Sequence, residues 1–123
     1  MKSQEGFTLL EVIIAISILA VGLLAVAAMQ DSAMKATVEA YNTTERTIRA
    51  QDRMELLLSL PYKDSMLLAG SHSDASAPPG YTITWNVDED DPVTNSKKVT
   101  VFVSRQDRNR TRSTSIACMK PRL

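Results

Sequence analysis

The sequence predicts an α+β fold in which one long N-terminal helix packs on a small antiparallel sheet. Three observations lead to this fold class. Residues 12–29 carry no charge, and residues 30–60 contain neither glycine nor proline, so nothing in the sequence stops a helix there. Residues 81–87 and 97–104 alternate apolar with polar side chains, which is the pattern of half-buried strands.

The uncharged run at residues 12–29 has the length of a membrane-spanning helix. At 1.5 Å per residue it spans about 27 Å, close to the thickness of the hydrocarbon core of a bilayer. The rest of the 123-residue chain is too short to cover such a helix on all sides. We therefore expect residues 7–29 to form the membrane-spanning first half of the helix.

Two ordinary explanations of this apolar segment stay open. A secretory signal peptide would fit the pattern Ala25-Val26-Ala27, but the apolar run is longer than usual and Glu11 lies inside it. A plain single-pass anchor would place Glu11 near the membrane interface, where its carboxylate could reach water.

The junction between Gly6 and Phe7 suggests a third explanation. Cleavage there would remove a short polar leader, residues 1–6, and would leave Phe7 as the new N-terminus. The carboxylate of Glu11 would then lie close to that terminus, and an isolated carboxylate in hydrocarbon costs several kcal/mol unless a cation meets it. The α-amine of Phe7 on a neighbouring chain is such a cation, and this pairing would set the stagger between adjacent helices.

The stretch Gly6-Phe7-Thr8-Leu9-Leu10-Glu11-Val12, followed at once by the apolar run, resembles the processing and methylation motif of type IV pilins and type II secretion pseudopilins. The resemblance implies that a prepilin peptidase cuts after Gly6 and methylates Phe7, and that Glu11 guides the subunit into a filament. It also implies a single-pass inner-membrane protein with a periplasmic C-terminal domain. Other pilins, minor pilins and the inner-membrane assembly platform would be its partners.

Residues 30–60 are predicted to form the amphipathic second half of the same helix. Their apolar side chains recur at steps such as four, three and seven residues, which keeps them on one helical face. We expect that face to lie against the sheet. Its members are Met34, Val38, Tyr41, Ile48, Met54, Leu57 and Leu58.

Residues 61–123 are predicted to form a small β domain. Pro61 ends the helix, and residues 70–80 are rich in small residues and prolines, which predicts a loop. The two alternating segments described above, together with a third and weaker strand at residues 113–119, predict a three-stranded antiparallel sheet.

The composition argues against catalysis and cofactor binding. Cys118 is the only cysteine and His72 the only histidine, so the sequence offers no intramolecular disulfide, no nucleophile–base set and no metal cluster. We predict no enzyme activity, no metal and no cofactor. The acidic residues 88–91 lack the spacing of a calcium loop and are expected to lie in a solvated hairpin.

The charge balance indicates no polyanionic partner for the chain as a whole, because 14 basic residues offset 14 acidic ones. The C-terminal end is nevertheless basic. We expect this end to be a solvated or subunit-facing edge, and binding of DNA or another anionic surface stays an alternative. The residues concerned are Arg105, Arg108, Arg110, Arg112, Lys120 and Arg122.

Among pilins, the small sheet and the single cysteine are similar to the minor pilins of the PilV type. The major pilins of the family usually close a C-terminal disulfide loop, which one cysteine cannot form. The resemblance thus implies a structural subunit that helps to prime pilus assembly at the filament tip. A minor pseudopilin of a type II secretion system and a DNA-uptake or adhesion module of a pilus are the alternatives.

Overall fold

The computed structural model describes residues 6–107 and 109–122. The chain divides into two compact units, one up to Ala40 and one from Tyr41 onward. The α+β class predicted from the sequence is confirmed. The elements in chain order are helix α1 (Leu9–Ser59), a 3-10 turn (Ser65–Leu67) and strands β1 (Gly70–Ser73), β2 (Tyr81–Glu89), β3 (Ser96–Asp107) and β4 (Arg110–Pro121).

The first unit contains the apolar part of α1. Among the described residues, α1 is the one helix that is long and apolar enough to cross a membrane, and none of its most apolar stretch is buried within the chain. The large apolar side chains from Leu9 to Val26 are exposed. Because the described residues leave this surface uncovered, it needs lipid or another protein around it. The predicted leader, residues 1–6, falls almost wholly outside the described residues.

The second unit contains a four-stranded antiparallel sheet with the strand order β1-β2-β3-β4. The prediction of three strands was wrong because β1 was taken for part of the loop at residues 70–80. This strand is short and lacks apolar alternation, so it carries no strand signal of its own. It forms because β2 offers a free edge, where His72 pairs with Trp85 and stacks on its ring at 5.6 Å.

The core of the second unit lies between the sheet and the C-terminal part of α1. Alternate residues of β2 and β3 point toward the helix, as the sequence predicted, and Leu67 closes one end. The indole N–H of Trp85 donates to the Met66 carbonyl at 2.9 Å, so this buried polar group is satisfied. The buried apolar residues are Ala50, Met54, Leu57, Leu67, Ile83, Trp85, Val87, Val99, Val101 and Val103.

The helix face that meets the sheet differs in part from the predicted stripe. Met54 and Leu57 are buried as expected, but Met34, Val38, Tyr41 and Ile48 are each more than half exposed. Arg46 and Ala50 occupy the buried positions instead. The small Ala50 side chain lets the sheet approach the helix closely. Arg46 is charged, so the pattern of apolar residues does not indicate that it is buried.

A polar network joins helix and sheet near the start of the second unit. Arg49 donates to Glu45 at 2.9 Å and stacks over the Tyr81 ring, and Arg105 donates to the Tyr81 hydroxyl at 3.1 Å. A hydrogen bond from Tyr81, followed by one from Arg49, lowers the pKa of the Glu45 carboxyl. Conversely, the hydrogen bond to Glu45 raises the pKa of Arg49.

Replacing Glu45 with glutamine should remove a contribution to stability that depends on pH. Because the pKa of Glu45 is lower in the folded state, its carboxylate stabilises the fold above the unfolded pKa of about 4.3, and this stabilisation is lost as the pH falls through the folded pKa. Glu45→Gln should therefore unfold more easily than the parent at neutral pH, and by a smaller margin at an acidic pH below about 4.3. Denaturant titration monitored by Trp85 fluorescence checks this, with the exposed Glu55→Gln as control. An equal difference at both pH values would contradict the assignment.

Two lysines fasten the sheet to the end of α1 and the segment after it. Lys97 is only 3% exposed, and its ammonium donates to the carbonyls of Tyr62 at 3.0 Å and Leu67 at 2.7 Å and pairs with Glu89 at 2.9 Å. Two hydrogen bonds and one ion pair therefore offset the free-energy cost of burying this cation.

Lys120 of β4 caps the C-terminus of α1. Its ammonium donates to the carbonyls of Leu58 and Leu60, the latter at 2.6 Å, and no basic residue lies in the last turn of the helix itself. A cation at this position satisfies helix-end carbonyls and complements the helix dipole.

Removing this cap should destabilise the second unit. We expect Lys120→Met to lower the free energy of unfolding by about 1–3 kcal/mol, because hydrogen bonds from a charged donor are lost at a partly buried site. Lys98→Met, on the outer face of β3, is the matched control. A Lys120→Met variant as stable as this control in denaturant titration would show that the cap contributes nothing.

Candidate processing and assembly site

The segment around Gly6 and Phe7 lies outside the helix. Residues 6–8 have no regular secondary structure, their side chains are exposed, and α1 begins at Leu9. A side chain built at Gly6 would meet nothing within 4 Å in this chain. The peptide bond between Gly6 and Phe7 is therefore accessible to an enzyme without unwinding of the helix.

Thr8 caps the N-terminus of α1. Its hydroxyl accepts a hydrogen bond from the Glu11 N–H at 3.2 Å, and its carbonyl accepts one from Val12 at 3.3 Å. With Thr8 as N-cap, Glu11 is the third helical residue, and the Thr-x-x-Glu pattern is that of a capping box. This role of Thr8 was not predicted from the sequence, although the Thr-x-x-Glu pattern indicates it.

Phe7 and Val12 occupy the positions of a hydrophobic staple around this cap, one residue before the N-cap and four after it. Both line the same shallow concavity, together with Glu11, Ala15 and Ile16. The motif at residues 6–12 therefore has a local structural effect of its own, because it determines where the helix starts and how the chain enters it.

The carboxylate of Glu11 lies in the first turn of α1 and is exposed, at the edge of the membrane-length apolar surface. The positive end of the helix dipole favours a carboxylate in that position. Within residues 6–107 and 109–122, no basic side chain forms an ion pair with it. If Glu11 lies in an apolar environment, a cationic partner for its carboxylate must therefore come from outside these residues.

Residues 1–27 match the family model described as the prokaryotic N-terminal methylation motif. The chain carries the N-terminal signature of type IV pilins and pseudopilins. This signature includes Gly6, Phe7 and Glu11 and ends within the apolar part of α1, so the sheet lies outside the match. No curated protein and no solved structure matches the chain.

The signature agrees with the structure in several respects. An exposed apolar helix near the N-terminus fits membrane anchoring and a place in a pilus, and the long helix packed on a small sheet is a pilin-like fold. Proteins with this motif associate with the membrane and with other pilus components, and their role is structural rather than enzymatic. Among the described residues, no group of three or more potential ligand side chains could hold a metal ion.

The basic C-terminal residues are not one continuous cationic surface. Lys120 caps α1, and Arg105 is held by Asn42, Glu45 and Tyr81. Arg110, Arg112 and Arg122 are exposed, whereas Arg108 lies outside the described residues. Because Arg105 and Lys120 are engaged in the fold, the charge available for DNA is smaller than the sequence suggested.

Proposed function

We propose that this chain is a minor pilin: a subunit that is cut after Gly6, methylated on Phe7 and docked through Glu11 into a type IV pilus. The methylation motif at the start of a membrane-length helix carries the proposal. The subunit would enter the inner membrane with its sheet in the periplasm and join other minor pilins in a complex that primes assembly at the tip.

The geometry at residues 6–8 supports cleavage by a prepilin peptidase. Proteases bind their substrates in extended form, and residues 6–8, which contain the Gly6–Phe7 bond, are non-helical. Hydrolysis would leave a carboxylate on Gly6 and a free α-amine on Phe7. Methylation would then replace one hydrogen of that amine, which keeps it basic and therefore cationic at neutral pH.

The α-amine of one subunit would then neutralise Glu11 of its neighbour. A carboxylate and an ammonium that are each costly in hydrocarbon attract each other strongly when they meet there. If Phe7 of one chain lies level with Glu11 of the next, the axial offset is at most about 10 Å, from two extended steps of about 3.3 Å and two helical steps of 1.5 Å. The pair would thus fix the register of the helices.

The minor role rests on Cys118. This half-buried residue of β4 is a free cysteine. The disulfide loop that the family's major pilins usually carry is therefore not available. We expect few copies of the chain per filament, and quantitative mass spectrometry of purified filaments measures this ratio directly.

The intact mass of the membrane-extracted protein tests the proposed processing. We expect a chain that starts at Phe7 and carries one added methyl group. A chain that still contains residues 1–6, or one cut near Ala27 as by a signal peptidase, would contradict the proposal.

A minor pseudopilin of a type II secretion system is the second candidate, because the methylation motif is shared by both classes of filament. Processing and docking would be the same in both. Deletion of the gene separates them: loss of surface pili with normal secretion supports the pilin, and loss of secreted folded proteins with normal pili supports the pseudopilin.

A further inference from the structure

Strand β4 forms a long edge of the sheet. It spans twelve residues, pairs with β3 in an uninterrupted register from Ser96↔Pro121 to Asp107↔Arg110, and has no bulge or internal proline. The opposite edge, β1, is only four residues long. Proteins protect long edges by shortening, bulges, proline or charged side chains. In β4 the proline is the last residue and the charged side chains lie toward the two ends, so residues 113–119 carry none of these protections.

The register shows which main-chain groups of β4 point outward. The Arg122 N–H donates to the Asn95 carbonyl at 2.9 Å, so even-numbered residues of this strand bond to β3 and odd-numbered ones point away from it. The outward set is Thr111, Ser113, Ser115, Ala117 and Met119. Apart from a weak contact between the Cys118 thiol and the Met119 carbonyl, these N–H and C=O groups have no protein partner in the described part of the chain.

We propose that this free edge binds an extended, acidic segment of another protein, which adds a fifth strand to the sheet. The main-chain groups would supply the affinity, as in other cases of strand addition. Strand β4 contains Arg110, Arg112 and Lys120 but no acidic residue. A bound strand with carboxylates beside Arg110 would match this charge.

The flanking surface also accommodates apolar side chains of the added strand. Ile116 and Cys118 are only half-buried on the helix-facing side of β4, whereas the neighbouring residues of β3 are fully buried. A groove of about 340 Å³ continues from the end of the strand. It is lined by Leu58, Leu60, Tyr62, Met119, Lys120 and Pro121. Alternate apolar residues of an added strand would cover this side.

A second copy of β4 is a poorer occupant. Antiparallel self-pairing centred on Ser115 places Arg110 of one copy opposite Lys120 of the other, at both ends of the pair. Like charges directly opposite each other destabilise a strand pair. The charge pattern therefore favours a different, acidic subunit. This inference is independent of cleavage at Gly6, because it concerns the second unit alone.

Amide hydrogen exchange on the full-length protein in detergent micelles tests the proposal. The probes are ten-residue peptides of alternating valine and threonine with two glutamates at the amino or the carboxyl end, and matched peptides with lysines in place of the glutamates. We expect the amides of Ser113, Ser115 and Ala117 to exchange fast in the free protein, unlike those of Thr114 and Ile116. At about 1 mM, one of the two acidic probes should protect these amides from exchange. Whether that probe has its glutamates at the amino or the carboxyl end shows whether the added strand runs parallel or antiparallel to β4.

Ser115→Pro is the decisive variant, because it removes one outward N–H at an edge position that tolerates proline. It should weaken binding of the acidic probe by about tenfold, whereas Ser115→Thr should not. Arg110→Glu should reverse the preference between acidic and lysine probes. The proposal is wrong if no probe protects the odd-numbered amides, if both charges bind equally, or if these amides are already protected because the protein self-associates.

Discussion

A Gly6→Val variant should accumulate in the membrane with residues 1–6 still attached. A side chain at Gly6 meets nothing among the described residues, so the substitution should leave the fold intact and act only on the proposed cleavage. A branched side chain next to the scissile bond should reduce cleavage to a small fraction of the parent's. Intact mass measures the result, and filaments should lack the uncut chain.

The control for this variant is Gly22→Ala. A side chain at Gly22 also meets nothing in the chain, and the position lies well inside the membrane-length segment. The Gly22→Ala variant should therefore be cleaved after Gly6 to the same extent as the parent. If Gly6→Val were cleaved as completely as Gly22→Ala, the assignment of Gly6 as the processing site would be wrong.

A Glu11→Gln variant should be cleaved and methylated normally but should enter filaments at least about tenfold less than the parent. The amide keeps the shape of the side chain and removes its charge, so a neighbour's N-terminal ammonium would be left without a partner in an apolar environment. Such an unpaired charge costs several kcal/mol, and each step of about 1.4 kcal/mol is a factor of ten. The ratio of the chain in filaments to that in the membrane measures the effect.

Glu55→Gln is the matched control, since Glu55 is an exposed carboxylate on the same helix but lies far from the motif. It should enter filaments as the parent does. Equal incorporation of Glu11→Gln and Glu55→Gln would show that the charge of Glu11 has no role in docking.

The sequence was most informative where one physical requirement governs a long segment. The apolar run predicted the first part of α1. The structure has a helix over Leu9–Ser59, and the large apolar side chains of its first part are exposed. The alternation in β2 and β3 predicted their buried faces because a strand with one face in the core must repeat every two residues. Both predictions depend on composition within the segment itself.

The errors come from contacts that no local pattern contains. Strand β1 depends on the ring of Trp85, which His72 reaches only once β2 is in place. The buried helix face includes Arg46, whose guanidinium donates to Thr114, 68 residues away in sequence. The helix cap by Lys120 is equally remote, because it bridges β4 and the end of α1.

At the N-terminus, the sequence identified Gly6, Phe7 and Glu11 through a family motif, and their roles in processing and docking stay predictions. The hydrogen bond from the Glu11 N–H to Thr8 adds a feature that the motif alone did not reveal. The same residues that would be recognised by the peptidase also determine where the helix begins. Substitutions of these residues should therefore change both the extent of processing and the helix content.

Chemical cross-linking of assembled filaments tests the docking claim most directly. A membrane-permeant carbodiimide joins a carboxylate to an adjacent amine with loss of water, and Asp31 and Lys35, 2.6 Å apart on the same helix, provide an internal positive control. We expect a peptide in which Glu11 is joined to the N-terminal residue of a neighbouring subunit, present in filaments and absent from protein dispersed in detergent. Filaments in which Asp31 and Lys35 are joined, while Glu11 stays unmodified or is joined only to its own N-terminus, would contradict the docking claim.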